Sequence, residues 1–529
     1  MTDEKQQKVL SKEQIDSVLE VYSKGRFQEA IDQIKSLNNS YPNVPFLFNL
    51  IGVCYKELGQ LEAAAKMFET AVGIKPDYAE VHKNLGITLR DLDQLDASVQ
   101  SLKRAIEVEP NYVDAHYNLA ITFKDLEQLD EAIQSYNRAI IINPNFAQAH
   151  NNLGNIFKDI KRFDDAIQSY EKSIVINPNF PLTHNNLGNV FKDLEKFNDA
   201  IKSYNKAIEL NPNFAEAHNN LGNVFKDIDE LDDAVKSYEK AISCNQNLSE
   251  AHYNLGVAFK SLRQFDNAIK SFKNAIAIDP DFAESHNNLG SCFTLMGQMT
   301  LAIDCYKKAL SIKPDYAEAH NSIGNLYNIL GKVKAGVESF EMAIAINPDF
   351  AEAHNSLGNA FKKLKKREEA LMSFERAQVI KPEMNYILGD ILNSKMHLCI
   401  WDNLQKSLNE MRNKIVNNEK VVDPFNLMGL IDDPALQRKA TELRINSAYP
   451  KSTILPKINH YPKHKKIRIG YFSADFREHP VAYLTAELYE LHDRNHFEIH
   501  AFSFGPDTKD EMNLRIKEGV DKFHNVQLM

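Results

Sequence analysis

The sequence predicts a mostly α-helical fold, a right-handed solenoid of stacked helix pairs, followed by a helical connector and an incomplete α/β Rossmann-like lobe. Three observations predict it. Prolines fall on a 34-residue grid (Pro42, Pro76, Pro110, Pro144, Pro178, Pro212, Pro280, Pro314, Pro348 and Pro382), on which only Gln246 departs. Gly52, Gly86, Gly154, Gly188, Gly222, Gly256, Gly290, Gly324 and Gly358 form a second ladder, with Ala120 in its gap, and Ala64, Ala132, Ala166, Ala200, Ala234, Ala268, Ala302 and Ala370 a third. After Pro382 the grid stops, and from residue 467 β-rich runs replace the helical period.

In one unit, AQAHNNLGNIFKDIKRFDDAIQSYEKSIVINPNF over residues 147 to 180, apolar residues recur at the three-to-four spacing of two antiparallel amphipathic helices. Leu153, Gly154 and Phe157 share one face of the first; Ala166, Tyr170 and Ser173 share one face of the second. Gly and Ala let the backbones approach, and the aromatics fill the space beside them. Asn177-Pro178 ends the second helix, because proline has no N–H to donate and restricts the residue before it. One pair cannot bury its own apolar face, so neighbours must stack. These offsets resemble the tetratricopeptide pattern. Ten such repeats run over residues 45–384, preceded in 1–44 by N-terminal helices with a degenerate repeat in which Ala30 and Pro42 keep the register.

Residues 385–466 read as a helical connector and linker. The single tryptophan, Trp401, is expected to pack there as a core anchor or cap. Lys457, Lys463, Lys465 and Lys466 read as a solvated linker in preference to a phosphate-binding patch. Residues 467–529 then open a lobe: IRIGYFS and FEIHAFSF are strand-like, and HPVAYLTAELYELHDR between them is an amphipathic helix starting near Pro480. That makes one parallel crossover, with KFHNVQLM about where a third strand would begin. Two strands and one helix bury little surface, so the lobe is expected to be marginally stable as it stands.

With 62 Lys+Arg against 72 Asp+Glu, the net charge of −10 argues against a dedicated nucleic-acid binder or a binder of anionic membranes. MTDEKQQKVLSKEQ lacks a signal-peptide core, and no apolar run approaches a membrane span, so a cytoplasmic or nuclear location is expected. Cys54, Cys244, Cys292, Cys305 and Cys399 contain no C-x-x-C pair and read as reduced structural thiols.

Three constellations could carry chemistry. His82, His116, His150, His184, His218, His252, His286, His320 and His354 form another ladder, but packed helices stand roughly 8–10 Å apart, too far for successive rungs to share a metal held at about 2 Å. They are expected to be structural, with no metal. Asn84, Asn118, Asn152, Asn186, Asn220, Asn254 and Asn288 precede the Leu-Gly pair, or Leu-Ala in one unit, in seven successive repeats, and Ser322 and Ser356 follow. An Asn side chain offers a donor and an acceptor, so a column of them could grip the main chain of an extended peptide whatever its side chains. The bland alternative is a solvated position copied by duplication, but Asn is a poor helix former. Third, the loop Ser473 to Pro480 lies at the carboxyl end of the first strand, where ligands bind in open α/β sheets, and it places Arg477 and His479 there. By residue type alone, a capping or surface histidine reads about as well.

The array, the connector from LCIWDNLQKSL to DDPALQRKA, and IRIGYFSADFREHPVAYL with FEIHAFSFGPD together resemble the protein O-GlcNAc transferase and Spindly-type family of nucleotide-sugar glycosyltransferases. The resemblance implies that the seven asparagines capture protein substrates or extended peptides in the groove. It implies that His479, the histidine of a D-F-x-x-H-P motif, is catalytic beside the sugar donor, with Asp475, Arg477 and Pro480 in the donor-site vicinity. The implied reaction moves N-acetylglucosamine from UDP-GlcNAc, a donor substrate and not a cofactor, to Ser or Thr. Fucose transfer, as in the Spindly branch, and a non-catalytic scaffold are the alternatives, and self-association through the array as a homodimer is a further expectation. Family members continue with the rest of this lobe and a second one holding most of the uridine-nucleotide pocket. The 529 residues alone are therefore expected to be inactive, and a nucleotide sugar is expected as partner only where the catalytic region is complete.

Overall fold

A computed structural model describes residues 10–448 and 465–526; Lys457 and Lys463 of the linker lie outside them. The chain divides into two compact units, Met1–Lys414 with Phe425–Asp432, and Ile415–Pro424 with Asp433–Met529. Among the described residues no helix is long and apolar enough to cross a membrane.

The first unit is a solenoid of stacked helix pairs. It opens with α1 (Lys12–Ser23) and α2 (Phe27–Ser40). Then come α3 (Pro45–Glu57) with α4 (Leu61–Ile74), α5 (Ala79–Asp91) with α6 (Leu95–Val108), α7 (Val113–Asp125) with α8 (Leu129–Ile142), α9 (Ala147–Asp159) with α10 (Phe163–Ile176), and α11 (Pro181–Asp193) with α12 (Phe197–Leu210). The series continues with α13 (Ala215–Asp227) and α14 (Leu231–Cys244), α15 (Ser249–Ser261) and α16 (Phe265–Ile278), α17 (Ala283–Leu295) and α18 (Met299–Ile312), α19 (Ala317–Ile329) and α20 (Val333–Ile346), and α21 (Ala351–Lys363) and α22 (Arg367–Ile380).

Most pairs close on a small residue facing a ring, with Leu102 in the ring's place opposite Gly86. A Cβ at Gly188 would lie 2.7 Å from the ring of Tyr204, which is fully buried. The close approach of α11 and α12 therefore needs glycine at that point. Successive pairs are joined by the histidine ladder. The Nε2 of each of the nine histidines lies 2.9–3.3 Å from the main-chain carbonyl six residues earlier, that of Pro76 for His82 and of Pro212 for His218. Because the acceptor is a main-chain oxygen, Gln246 serves His252 as well as proline serves the others.

Beyond α22 come α23 (Ile387–His397), α24 (Leu404–Val416), α25 (Pro424–Leu430) and α26 (Pro434–Ala448). Trp401 does not anchor a core: it is 55% exposed in the turn after α23. The buried places are filled instead by Ile387 and Ile391 of α23 against Leu371 and Phe374 of α22.

The lobe holds more than a single crossover. Its three strands, β1 (Ile467–Ser473), β2 (Phe497–Ser503) and β3 (Lys522–Asn525), are parallel in the order β1-β2-β3, joined by α27 (Pro480–Leu491) and α28 (Glu511–Glu518). The expected two strands and one helix are thus three and two. Alternation along the strands divides the sheet. Tyr471, Ala501 and Phe523 are register neighbours and pack with Phe476, Ala486, Tyr489, Met512 and Ile516. Their sequence neighbours Phe472, Phe502 and His524 stack in a line on the other face, with centroids 4.5 Å apart at each step, and Phe472 is 69% exposed. The sheet is open, with one face covered by helices.

Candidate functional site: an asparagine column and a strand-end loop

Each ladder asparagine stands one residue before the leucine its helix buries, so it sits at the margin of the core; Asn254 is 7% exposed and the other rungs are half-buried. The side-chain N–H groups are turned towards the preceding repeat. Asn84 donates to Asn49 Oδ1 at 3.0 Å, Asn152 to the Tyr117 hydroxyl at 3.0 Å, and Asn254 to Asn219 Oδ1 at 3.1 Å. Asn186 donates to Asn151 Oδ1 and Asn155 Oδ1 (3.2 and 3.1 Å), and Asn220 repeats this with Asn185 and Asn189. Asn118 departs, donating to its own helix at the Asp114 carbonyl, because the residue 35 back from it is Lys83, which has no acceptor. The buried Tyr170 and Tyr204 hydroxyls donate to Asn155 and Asn189, tying these networks to the core.

Asn118 apart, the amides are therefore struts between repeats, and the expectation that donor and acceptor alike face a ligand needs amending. What is left over is a column of side-chain carbonyls. Among the described residues no donor is placed on the Oδ1 of Asn84, Asn118, Asn186, Asn220 or Asn254. Asn152 Oδ1 accepts one bond from Asn151, and an amide oxygen has room for two. Such oxygens accept main-chain N–H groups. At the far end the strut fails, since Ser322 and Ser356 are too short to reach back, and Asn287 Oδ1 and Asn321 Oδ1 lie buried with no donor among the described residues.

Beside the column runs a staircase of ion pairs at the C-terminal ends of the same helices. Lys56 reaches Asp91 at 3.2 Å, Arg90 reaches Asp125 at 4.0 Å, and Lys192 reaches Asp227 at 3.7 Å, each cation pairing with a carboxylate one repeat on. Lys158 and Lys226 lie instead against the aspartate beside them, Asp159 at 3.6 Å and Asp227 at 3.9 Å, and Lys260 has neither arrangement. Its Nζ donates to the ladder residue Asn288 (Oδ1, 2.5 Å), and burial holds its ammonium below the usual lysine range. With its amide already on Tyr253 and Glu284, Asn288 is satisfied within the chain.

The strand-end loop brings its four expected residues together. Asp475 Oδ1 lies 3.6 Å from Arg477 Nη2, and its Oδ2 lies 3.7 Å from His479 Nδ1. His479 is the N-cap of α27: its Nδ1 accepts the Val481 N–H at 3.3 Å, with Pro480 at the first helical position. A neutral ring used in this way carries its proton on Nε2, so this histidine can donate to a ligand while it caps. Arg477 Nε is buried without a partner among the described residues. The loop after β2 closes against this one: Phe504 N–H bonds the Ser473 carbonyl, and a Cβ at Gly505 would fall 1.8 Å from the Ala474 carbonyl oxygen. Among the described residues no group of His, Cys, Asp and Glu could hold a metal ion.

The sequence singled out the column and the loop but missed the struts. Their signal was present as the amide or phenol acceptors Asn49, Tyr117, Asn151, Asn185, Asn219 and Tyr253, each 35 residues before a rung.

Comparison with known proteins fits both parts. Stretches at 86–126, 122–161, 188–229, 222–263 and 324–365 match the family described as TPR repeat; 147–180, 249–282 and 283–316, and also 47–78 and 351–393, match families described as tetratricopeptide repeat. Residues 444–529 match glycosyl transferase family 41. A curated relative, the probable UDP-N-acetylglucosamine--peptide N-acetylglucosaminyltransferase SEC of Arabidopsis thaliana, is 28% identical over 157 residues; the match covers 26% of this chain and 16% of the relative's length. Similar solved structures include MamA (31% identity, 31% of this chain and 97% of that one, TM-score 0.29) and YrrB, titled a TPR protein with an unusual peptide-binding site (22% identity, 35% and 96%, TM-score 0.31). PilF of Pseudomonas aeruginosa is 20% identical, with 39% and 94% covered and a TM-score of 0.35. The chain is thus an array of tetratricopeptide repeats carrying, at its C-terminal end, a segment of glycosyl transferase family 41.

Proposed function

We propose that this protein serves O-glycosylation of proteins in the cytoplasm and nucleus. The array captures an extended polypeptide by its main chain, and the family 41 region, where complete, transfers N-acetylglucosamine from UDP-GlcNAc to a Ser or Thr of that polypeptide. The observation that carries this reading is the column of asparagine carbonyls, open for N–H donors from Asn84 to Asn254, in a chain that also holds a family 41 segment. In the transfer, the acceptor hydroxyl oxygen bonds to the anomeric carbon as the bond from that carbon to the β-phosphate oxygen breaks; UDP leaves and the hydroxyl proton passes to a base. His479, with Nδ1 committed to the cap, donates Nε2–H to a donor oxygen, while Arg477 and Asp475 set the loop and Pro480 starts the helix behind it. A binding scaffold is the second reading, favoured by the same cap, which gives His479 a purely structural use.

The test is fluorescence anisotropy with labelled extended peptides of Ser, Thr and Val. Replacing Asn152, Asn186 and Asn220 by Ala together is expected to weaken binding about 150-fold, at roughly 1 kcal/mol for each rung. Unchanged affinity in a variant with native circular dichroism would remove the capture reading. For transfer, protein purified from its own cells is expected to label peptide from UDP-GlcNAc and to lose that activity with His479→Ala; transfer that survives the substitution leaves the scaffold use of that residue standing.

A further inference from the structure

The cations of this staircase have a carboxylate one repeat on, as for Lys56, Arg90 and Lys192, or beside them, as for Lys158 and Lys226, and at Lys260 both places are lost, to Leu295 and Ser261. In this pattern the cation near the end of one first helix meets a carboxylate in the next first helix, as Lys192 meets Asp227 at 3.7 Å. For Lys260 the corresponding place is occupied by Leu295, and one repeat further on by Ile329. Both aliphatic side chains are 59% exposed, at a position that is aspartate from Asp91 to Asp227 and serine at Ser261. Among the described residues no carboxylate pairs with Lys260, and its ammonium turns instead to Asn288 Oδ1. Ion pairing of this kind resumes only at Lys362 with Asp390, 3.5 Å apart.

A partly desolvated ammonium held by one neutral oxygen is under-compensated, and a carboxylate brought to it gains more than the same carboxylate on an open surface. The exposed leucine and isoleucine beside it gain by being covered. Taken with the capture reading above, on which this rests, we propose that Lys260, Leu295 and Ile329 form a specificity subsite for a client segment in which a carboxylate side chain adjoins an aliphatic one. The client carboxylate takes the place that Asp227 takes for Lys192, and the aliphatic group lies over Leu295 and Ile329. Drawing Lys260 away also frees Asn288 Oδ1, so the seventh rung joins the column only for clients of this kind.

The test uses the full chain and three labelled Ser/Thr/Val peptides that differ only in a central Glu-Leu, Gln-Leu or Lys-Leu pair. Glu-Leu is expected to bind about tenfold tighter than Lys-Leu, with Gln-Leu between them. Lys260→Met, which keeps the apolar stem, and Leu295→Asp, which supplies the missing carboxylate from within on an exposed site, are each expected to bring that ratio below about twofold. Equal binding of the three peptides by the unaltered chain, or a preference that persists in both variants, overturns the subsite and leaves capture by the asparagines intact. Failure of all three peptides to bind overturns both.

Discussion

In the array, Tyr204 is wholly buried between α11 and α12, two helices that follow each other in the chain. In the lobe, Phe472 lies 69% exposed on a sheet whose neighbouring strands bring together residues 30 apart, such as Arg468 and Glu498. The first kind of contact closes a short loop, and copies of it on either side support it; the second needs a long closure and covers one face of the sheet. Stability in the array is therefore shared out among like neighbours, whereas in the lobe it hangs on a single small core, Phe476, Tyr489, Met512 and Ile516 among its members. Local opening should begin in the lobe.

Three experiments can break or sharpen this contrast. Tyr204→Ala is expected to cost about 3–5 kcal/mol, through the emptied volume and the lost bond to Asn189. Hydrogen exchange should show the damage confined to α11, α12 and the adjoining repeats; acceleration along the whole array would mean that its units are not independent. Gly505→Ala is expected to cost about 1–3 kcal/mol, because the new methyl group meets the Ala474 carbonyl, which is backbone and cannot swing aside. Proteolysis should then cut within 465–526 sooner while the helical circular dichroism of the array holds, and an unchanged digestion pattern would count against the packing of the two loops.

The smallest effect is with acid. Burial lowers the titration of His150, His184, His218 and His286 from the ordinary 6.5, so the unfolded chain binds protons first. Their contribution is complete above 6.5 and is lost as the pH falls from there towards their folded values. In the lobe, Arg468, Lys522 and His500 hold the Glu498 carboxyl down to about 2 from 4.5, so that contribution is lost only below 4.5. Melting curves between pH 7 and 4.5 should show the array softening while the Glu498 cluster stays intact. The reverse order would contradict the assignment.

How much of this could be read beforehand depends on repetition. The helix pairs were legible because the Gly, Ala and Pro positions recur at a fixed interval, and each copy checks the others. Strand β3 has no such support: KFHN is four residues with no period to count, and it follows α28, a helix of only eight residues. Residue type points Trp401 to a core or a cap, while the buried places beside α22 are filled by Ile387 and Ile391. At the candidate site, residue type marks the rungs, but which end of each amide stays open follows from a neighbour 35 residues away. In the loop, the cap formed by His479 follows from the turn into α27, which composition alone does not fix.

The joint between repeats has one more implication. Each unit brings its own imidazole and offers its own carbonyl at the other end, like a coupling with a plug and a socket on every segment. Whole units can then be inserted or dropped during evolution without refitting what lies on either side, so the length of such a chain is free to drift while its pitch is conserved.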